Sequence, residues 1–373
     1  MAKKYVQHKK GSSENESVRD GDNYFKGRGA QVNVHNKFLK RDYVQEHMET
    51  IDEELLNAEG KTQYYYESPK KIVNEVKSSD LGMMYSMNPY QGCEHGCIYC
   101  YARNTHEYWG FSAGLDFERK IIIKKNSAEL LAKQLMNKNW KVHPIMFSGN
   151  TDCYQPVERK MKITRSMLEV LLKFRHPTGM ITKNVLILRD IDILKEMAKL
   201  NLVHVMVSIT SLQEDLRQKM EPRTATAKQR LKVLEELSKA GIPCGVMTAP
   251  IIPGLNSMEI PNLIKAAADH GASTAGYTIV RLNGAIGEIF TDWVKKNFSD
   301  AAEKILHQIK ECHGGNLNDS VYGRRMGGEG NIANMIKQLF KHSVKKHLAG
   351  RDKFEFDLAL FRRPGQSEQM KLF

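Results

Sequence analysis

The sequence is short of everything that would carry the chain into or across a membrane. Its longest apolar runs, IIIKK from Ile121 and NVLILRD from Asn184, fall far below the roughly 20 residues that span a bilayer. The first ten residues, MAKKYVQHKK, are basic, but polar GSSENESVRD follows where a signal peptide needs an apolar core. The expected location is therefore cytoplasmic. Cysteine is scarce, six in 373 residues. That is too few for a disulfide framework, so a cluster among them points to metal binding or catalysis. Acidic residues are also in deficit, 43 against 56 Lys and Arg, leaving a net charge of +13. That excess points to a polyanionic partner, nucleic acid ahead of a membrane surface. Low-complexity tracts, close repeats and any recognised nucleic-acid-binding module are missing as well.

What is present suits one large catalytic domain with extensions. Residues 1–45 read as a basic, polar, partly disordered arm with KGRGAQ at its centre. Residues 46–82 form an N-terminal extension, with a helical signal at 48–56 and a Tyr-rich extended stretch at 64–66. From residue 83 strand and helix alternate. Strands are expected at 83–87, 144–147, 179–182, 203–209, 243–249 and 272–280. Helices fall between them, with Leu130, Leu131 and Leu135 on one face, and Leu168, Leu171, Leu172 and Phe174 on the next. Two further helices are expected at 191–200 and 227–240, the latter with Leu231, Leu234 and Leu237 inward. Ser127 and Ser257 are candidate helix caps, and Gly241 and Gly271 are natural left-handed stops. Six such units imply a parallel sheet with right-handed crossovers. Residues 299–362 supply helices in place of two more units, so the fold class is α/β, a partial (β/α)6 barrel over 83–298. Residues 363–373 remain as an exposed tail. Chemistry in such folds collects at the C-terminal ends of the strands.

The stretch MNPYQGCEHGCIYCYAR spaces Cys93, Cys97 and Cys100 as C-x3-C-x2-C in a glycine-containing loop after the first expected strand. Thiolates hold iron–sulfur clusters. Three of them would bind three irons of a cubane and leave the fourth open to an outside ligand. Structural zinc is the alternative, with His95 as fourth ligand, although closed zinc sites commonly pair their cysteines at C-x2-4-C spacing.

Tyr99, the aromatic directly before the last cysteine, completes C-x3-C-x-aromatic-C, and here the chain resembles the radical S-adenosylmethionine (SAM) superfamily. More specifically it resembles the branch related to spore photoproduct lyase, called DNA repair photolyase-like. The carrying stretches are KGRGA, NPYQGCEHGCIYCYAR, FSGNTDCYQPVE, ITKN with LRDIDIL, EPR and APIIPGLN, spread over residues 26–256. The resemblance implies a radical SAM barrel with a [4Fe–4S] cluster on Cys93, Cys97 and Cys100. SAM would chelate the open iron, and its reductive cleavage would give a 5′-deoxyadenosyl radical in a lyase- or repair-type reaction. It also implies an electron donor such as flavodoxin or ferredoxin. Ser148, Gly149, Asn150 and Thr151 would meet the amino end of SAM, and Lys183 and Ser208 its carboxylate and ribose. Ala249 and the residues to 252 would pack on the adenine, core packing being the alternative, Asp152 and Glu158 would stand near the mouth, and Glu221 with Arg223 would form an ion pair in its floor.

One departure stands out. Spore photoproduct lyase carries a hydrogen-donating cysteine directly before Thr-Asp, and this chain has Asn150 there. Cys153 is then the candidate donor, its alternative being a small buried apolar residue. Basic segments recur at residues 322–326 (YGRRM) and 337–347, where Lys337, Lys341 and Lys345 share a helical face suited to phosphates or simply to solvent. The last five residues, Gln369-Met370-Lys371-Leu372-Phe373, resemble the Q-x-x-L-F peptide that binds the bacterial DNA sliding clamp. The reading that follows is a radical SAM enzyme acting on nucleic acid, DNA favoured. Radical modification of a protein or metabolite, and a non-catalytic zinc-bound nucleic-acid module, are the alternatives.

Overall fold

The computed structural model describes residue 25, residues 27–38 and residues 61–365. The expected helix at 48–56 and the C-terminal pentapeptide lie outside the described residues.

Six parallel strands carry the molecule: β3 (Tyr85–Met87), β6 (Ile145–Phe147), β7 (Thr178–Thr182), β8 (Val203–Ser208), β9 (Cys244–Ile251) and β10 (Thr274–Ile279). They run in spatial order β10-β9-β8-β7-β6-β3, and a short antiparallel strand, β2 (Val73–Glu75), closes the β3 edge. The expected partial six-stranded barrel is what the chain forms. A feature the sequence reading lacked is a second sheet of three strands. In it β5 (Lys120–Lys124) lies between β1 (Gln63–Glu67), the Tyr-rich stretch, and β4 (Tyr90–Gln91). This small sheet grips both ends of the cysteine loop.

The strand sequences explain the layering. In β8, Val203, Val205 and Val207 are buried, while the alternate residues His204 and Met206 are only half-buried. Three methionines and three glycines fill the interior in register. A Cβ on Gly179 would come 2.9 Å from Met146, and one on Gly276 would come 3.1 Å from Met247. A Cβ on Gly245 would come 2.9 Å from Met206. Glycine makes the room that the flexible thioethers occupy.

Five helices follow in chain order: α1 (Ser127–Leu135), α2 (Ile163–Phe174), α3 (Ile191–Ala198), α4 (Ala227–Lys239) and α5 (Ile260–Asp269). Their apolar faces form one large core with the outer sides of the strands. Helix α4 starts on a capping box between Thr226 and Gln229 and is followed by Gly241 at φ +73°. Two expected caps are corrected. Ser127 is the first helical residue and donates to Lys124 O at 2.5 Å, with Asn126 in the cap position. Ser257 lies within a 3-10 turn that Asn256 precedes. The C-terminal extension contributes α6 (Ala285–Asn297), α7 (Ala302–Glu311) and α8 (Gly330–His347). Among the described residues no helix is long and apolar enough to cross a membrane.

Candidate active site

The cysteine loop leaves β4 at the C-terminal end of β3 and is pinned on every side. Gly92 and Gly96 take positive φ of 76° and 70°, the conformation glycine adopts most readily. Cys93 N donates to Phe117 O at 2.9 Å, and Glu94 N to Gln155 Oε1 at 3.1 Å. Ile98 N donates to Met220 O at 3.0 Å, and Arg223 N to His95 O at 3.2 Å. Cys100 then opens a 3-10 helix, Tyr101–Trp109. Beneath the loop a fully buried Arg103–Glu118 pair at 2.5 Å joins it to the N-terminal segment. Glu118 also accepts from Gly29 N at 3.1 Å and Ala30 N at 2.8 Å. Residues 27–38, within the expected N-terminal arm, are thus a strap packed on the cysteine loop and the segment that follows it.

Cys93 and Cys97 are buried and Cys100 is half-buried. Burial pushes all three thiols above the ordinary cysteine range, with Asp152 and Cys97 adding to the effect at Cys93, and Glu221 at Cys97. Among the described residues no three Cys, His, Asp or Glu side chains converge as ligands of one ion must. Three soft thiols on one loop, those of Cys93, Cys97 and Cys100, are the donor type that iron–sulfur clusters take. His95 is committed elsewhere: its Nδ1 lies 3.4 Å from Asp152 Oδ2 and its Nε2 lies 3.2 Å from the Asn184 amide. Burial lowers its pKa to about 4.

Around this loop the structure brings together most of the residues singled out from sequence. Tyr99 donates its hydroxyl to Glu221, and Glu221 binds the guanidinium of Arg230 and accepts from Thr210 Oγ1 at 2.8 Å. Arg230 in turn donates to Ser208 O at 2.9 Å. Burial alone would raise the Glu221 carboxyl, but Arg230 and Lys183 outweigh it and hold the group at about 2. Lys183 Nζ stands 5.9 Å from the Tyr99 ring centre. Burial works against its charge, and Glu221 and Cys97 more than restore it, so the ammonium is raised overall. Ser208 Oγ makes only a long 3.5 Å contact with Ala249 O. On the other flank Tyr101 OH donates to Gly149 O at 2.6 Å. Asn150 Nδ2 reaches Gln91 Oε1 at 3.0 Å, and Thr151 Oγ1 donates to Tyr90 O at 2.7 Å. Ser148 sits at φ +66° and accepts from Cys153 N at 2.9 Å.

Several expectations are corrected. Glu221 pairs with Arg230, while Arg223 lies behind the cysteine loop, within electrostatic reach of Arg28 and Tyr64. Glu158 is buried beneath the loop, bonded to Tyr90 and to Arg189 at 2.6 Å, and is no mouth residue. Cys153 does not face the mouth: it is 0 % exposed within the main core, with Tyr154 and Val157. Its buried thiol has Ser148 as a hydrogen-bond partner, and burial followed by Asp152 raises it well above the ordinary value. Of residues 249–252, Ile251 and Ile252 belong to hydrophobic cores, leaving Ala249 and Pro250 half-buried at the strand end. The arginines of YGRRM are neutralised, Arg324 by Asp319 and Glu329, and Arg325 by Asp80. Lys337, Lys341 and Lys345 are exposed along α8.

Arg230 and Asn256 were missed. Arg230 interrupts the buried stripe Ala227, Val233, Leu234, Leu237 of α4, and a charge on an apolar stripe is the available signal. Asn256 closes the APIIPGLN turn by accepting from Ile252 N at 2.6 Å and donating to Thr210 O at 2.7 Å.

Residues 87–267 match the family model of the radical SAM superfamily. An uncharacterized protein of Mycobacterium tuberculosis is 31 % identical over 247 residues, covering 65 % of this chain and 72 % of that one. The chain belongs to the radical SAM superfamily. This radical SAM enzyme has an uncharacterized relative in Methanocaldococcus jannaschii too, 28 % identical over 239 residues, covering 64 % of this chain and 85 % of that one. Among solved structures it resembles spore photoproduct lyase complexed with dinucleoside spore photoproduct. The TM-score is 0.59 at 15 % identity, over 79 % of this chain and 82 % of that one. Its cofactors are those of the superfamily, a [4Fe–4S] cluster and SAM.

Proposed function

We propose that this enzyme holds its cluster on Cys93, Cys97 and Cys100 and acts on nucleic acid, DNA in preference, in a repair or modification reaction. When bound, the cluster and SAM supply reductive cleavage of the sulfonium and a 5′-deoxyadenosyl radical. The protein's part is to hold, orient and shield. Lys183, kept positive by Glu221, is our candidate for the SAM carboxylate. Ser208, whose hydroxyl is only loosely engaged, is our candidate for the ribose, and Gly149 and Asn150 for the amino end. Ala249 is the candidate contact for the adenine. Tyr99, Glu221 and Arg230 lock the loop to β8 so that the cysteines keep their spacing.

The observation that carries the nucleic-acid reading is Tyr101, 56 % exposed and the residue directly after Cys100. An aromatic face beside the cysteine loop suits a base, because stacking accepts any base. The net charge of +13 and the lysines of α8 support it. So does the lyase of similar fold, solved with a dinucleoside photoproduct. We further propose an electron donor of the flavodoxin or ferredoxin kind, and recruitment to DNA by the sliding clamp through Gln369 to Phe373.

The test is deuterium transfer. Anaerobically reconstituted enzyme with dithionite and SAM is given labelled DNA oligonucleotides, and 5′-deoxyadenosine is examined for deuterium. Label from an oligonucleotide supports the reading. Label only from a peptide or metabolite overturns the substrate class, and a colourless zinc protein without SAM cleavage overturns the assignment of the cysteines.

A further inference from the structure

A cavity of about 390 Å³ lies beside the mouth, between the 3-10 helix Tyr101–Trp109 and the turn that joins β10 to α6. That volume is within the roughly 300–1,000 Å³ usual for small-ligand sites. Lys37, Tyr101, Asn104, Tyr108, Arg281 and Asn283 are among the residues that line it. Two of their buried polar atoms, Arg281 Nε and Asn104 Oδ1, have no hydrogen-bond partner among the described residues. One is a charged donor and the other an acceptor, and leaving either unsatisfied costs free energy that a ligand would restore.

The charges around the cavity are uneven. Asp80 is taken by Arg325 in a two-toothed pair at 2.5 and 2.6 Å, and Asp319 by Arg324. Glu107 serves Lys37 at 3.6 Å. Among the described residues Arg281 has no carboxylate in ion-pair contact, Asp80 and Asp319 acting on it only from a distance, and its polar side-chain contact is Met326 Sδ at 3.7 Å. Burial, then the like charge of Arg325, depress its pKa. A guanidinium in this setting selects an anion, phosphate above all. The aromatic part is equally exposed. Tyr108 is 73 % exposed and stacks one face on Phe38 of the strap, with ring centres 4.7 Å apart at 29°. Lys37 Nζ lies 5.1 Å from the Phe38 ring centre. The strap and the helix after the cysteine loop thus build one platform of ring and cation.

We propose that this cavity is a subsite for a nucleotide flanking the reacting one in a single strand, its base stacked on Tyr108 and its phosphate on Arg281. Lys37 adds a second positive charge, and Asn104 Oδ1 accepts from an N–H on the base edge. The subsite rests on the nucleic-acid reading above and adds that the strand lies over the strap side of the mouth. It also gives the strap a role in substrate binding besides covering the cysteine loop.

The test is titration of the anaerobically reconstituted holoenzyme with a fluorescein-labelled four-residue oligothymidylate, followed by anisotropy over a salt series. Tyr108→Ala should weaken binding roughly ten-fold, as loss of one stacked base does, and Tyr108→Phe should bind within about two-fold of the wild type. Arg281→Gln should weaken binding and lower the salt slope by about one contact. Wild-type affinity in both Tyr108→Ala and Arg281→Gln, or equal loss in Tyr108→Ala and Tyr108→Phe, would overturn the subsite alone. No binding by the wild type at any salt would overturn the nucleic-acid reading with it.

Discussion

Gly29 of the strap lies against the carbonyl oxygen of Gly96 in the cysteine loop, so closely that a Cβ at position 29 would overlap it. From the other side, a Cβ on Gly96 would stand 2.9 Å from Glu118 Oε2 and 3.3 Å from Gly29 N. Two glycines let two backbones touch over a buried acid, and the strap becomes the outer wall of the loop.

Gly29→Ala should therefore push the strap off the loop. Overpacking of this kind costs about 1–3 kcal/mol. Reconstituted Gly29→Ala is expected to lose iron to air several-fold faster than wild type, followed by loss of the visible iron–sulfur absorbance. Equal rates would mean that the strap does not shield the loop.

Removing Arg230 should be more damaging than removing its partner's charge. Arg230→Met leaves Glu221 buried without its main counter-charge, a loss of about 3–5 kcal/mol by analogy with other broken buried pairs. Chemical denaturation of the purified protein measures it. Glu221→Gln should be milder, since its amide oxygen can still accept from the guanidinium and Arg230 keeps its bonds to Ala225 O and Ser208 O.

The same pair sets an acid limb. The Glu221 carboxyl is lowered from 4.5 to about 2 in the fold, so its contribution to stability is present above the unfolded value and is lost as pH falls through the folded one. Wild type should lose stability between roughly pH 4.5 and 2 more steeply than Glu221→Gln. Parallel stability curves for the two proteins over that window would contradict the assignment.

Alanine at Cys93, Cys97 or Cys100 should abolish iron binding and dithionite-dependent SAM cleavage. Cys153→Ala should keep both, with the product pattern unchanged and a stability loss of about 1 kcal/mol from trimming one buried atom. An altered product distribution in Cys153→Ala would return that thiol to the chemistry despite its burial.

A chain stopped at Glu368 should bind the purified sliding clamp at least ten-fold less tightly than the full chain. The full-length affinity should be modest, about 8 kcal/mol or micromolar. SAM cleavage without DNA should be the same in both. Equal clamp binding by the two chains would leave Leu372 and Phe373 without that role.

The cysteine loop and the barrel were legible in the sequence because both are local signals. C-x3-C-x2-C with Tyr99 is one short stretch, and each strand–helix unit declares itself by its own period and its own glycine stop, as Gly241 does after α4. The arrangement of buried charge was not legible. Glu221 stands two residues from Arg223 in the chain, yet its guanidinium partner is Arg230, one helix start away, because the chain turns between them. Cys153 looked like a mouth residue from its neighbours Thr151 and Asp152, but the turn after β6 sends its thiol into the core while Asp152 turns to His95 and Lys183. The strap is the clearest case. Nothing periodic marks residues 27–38, and their order comes from partners far along the chain, among them Gly96, Glu118, the Glu107 carbonyl that Asn36 meets and the Ser112 hydroxyl that Val34 meets. Sequence by itself determined the chemistry this chain can carry and the units it is built from, since those depend on residue type and short spacing. Tertiary structure alone decided which charges meet, which cysteines stay accessible and what covers the loop, because burial and long-range contact follow from packing that no short window of sequence contains.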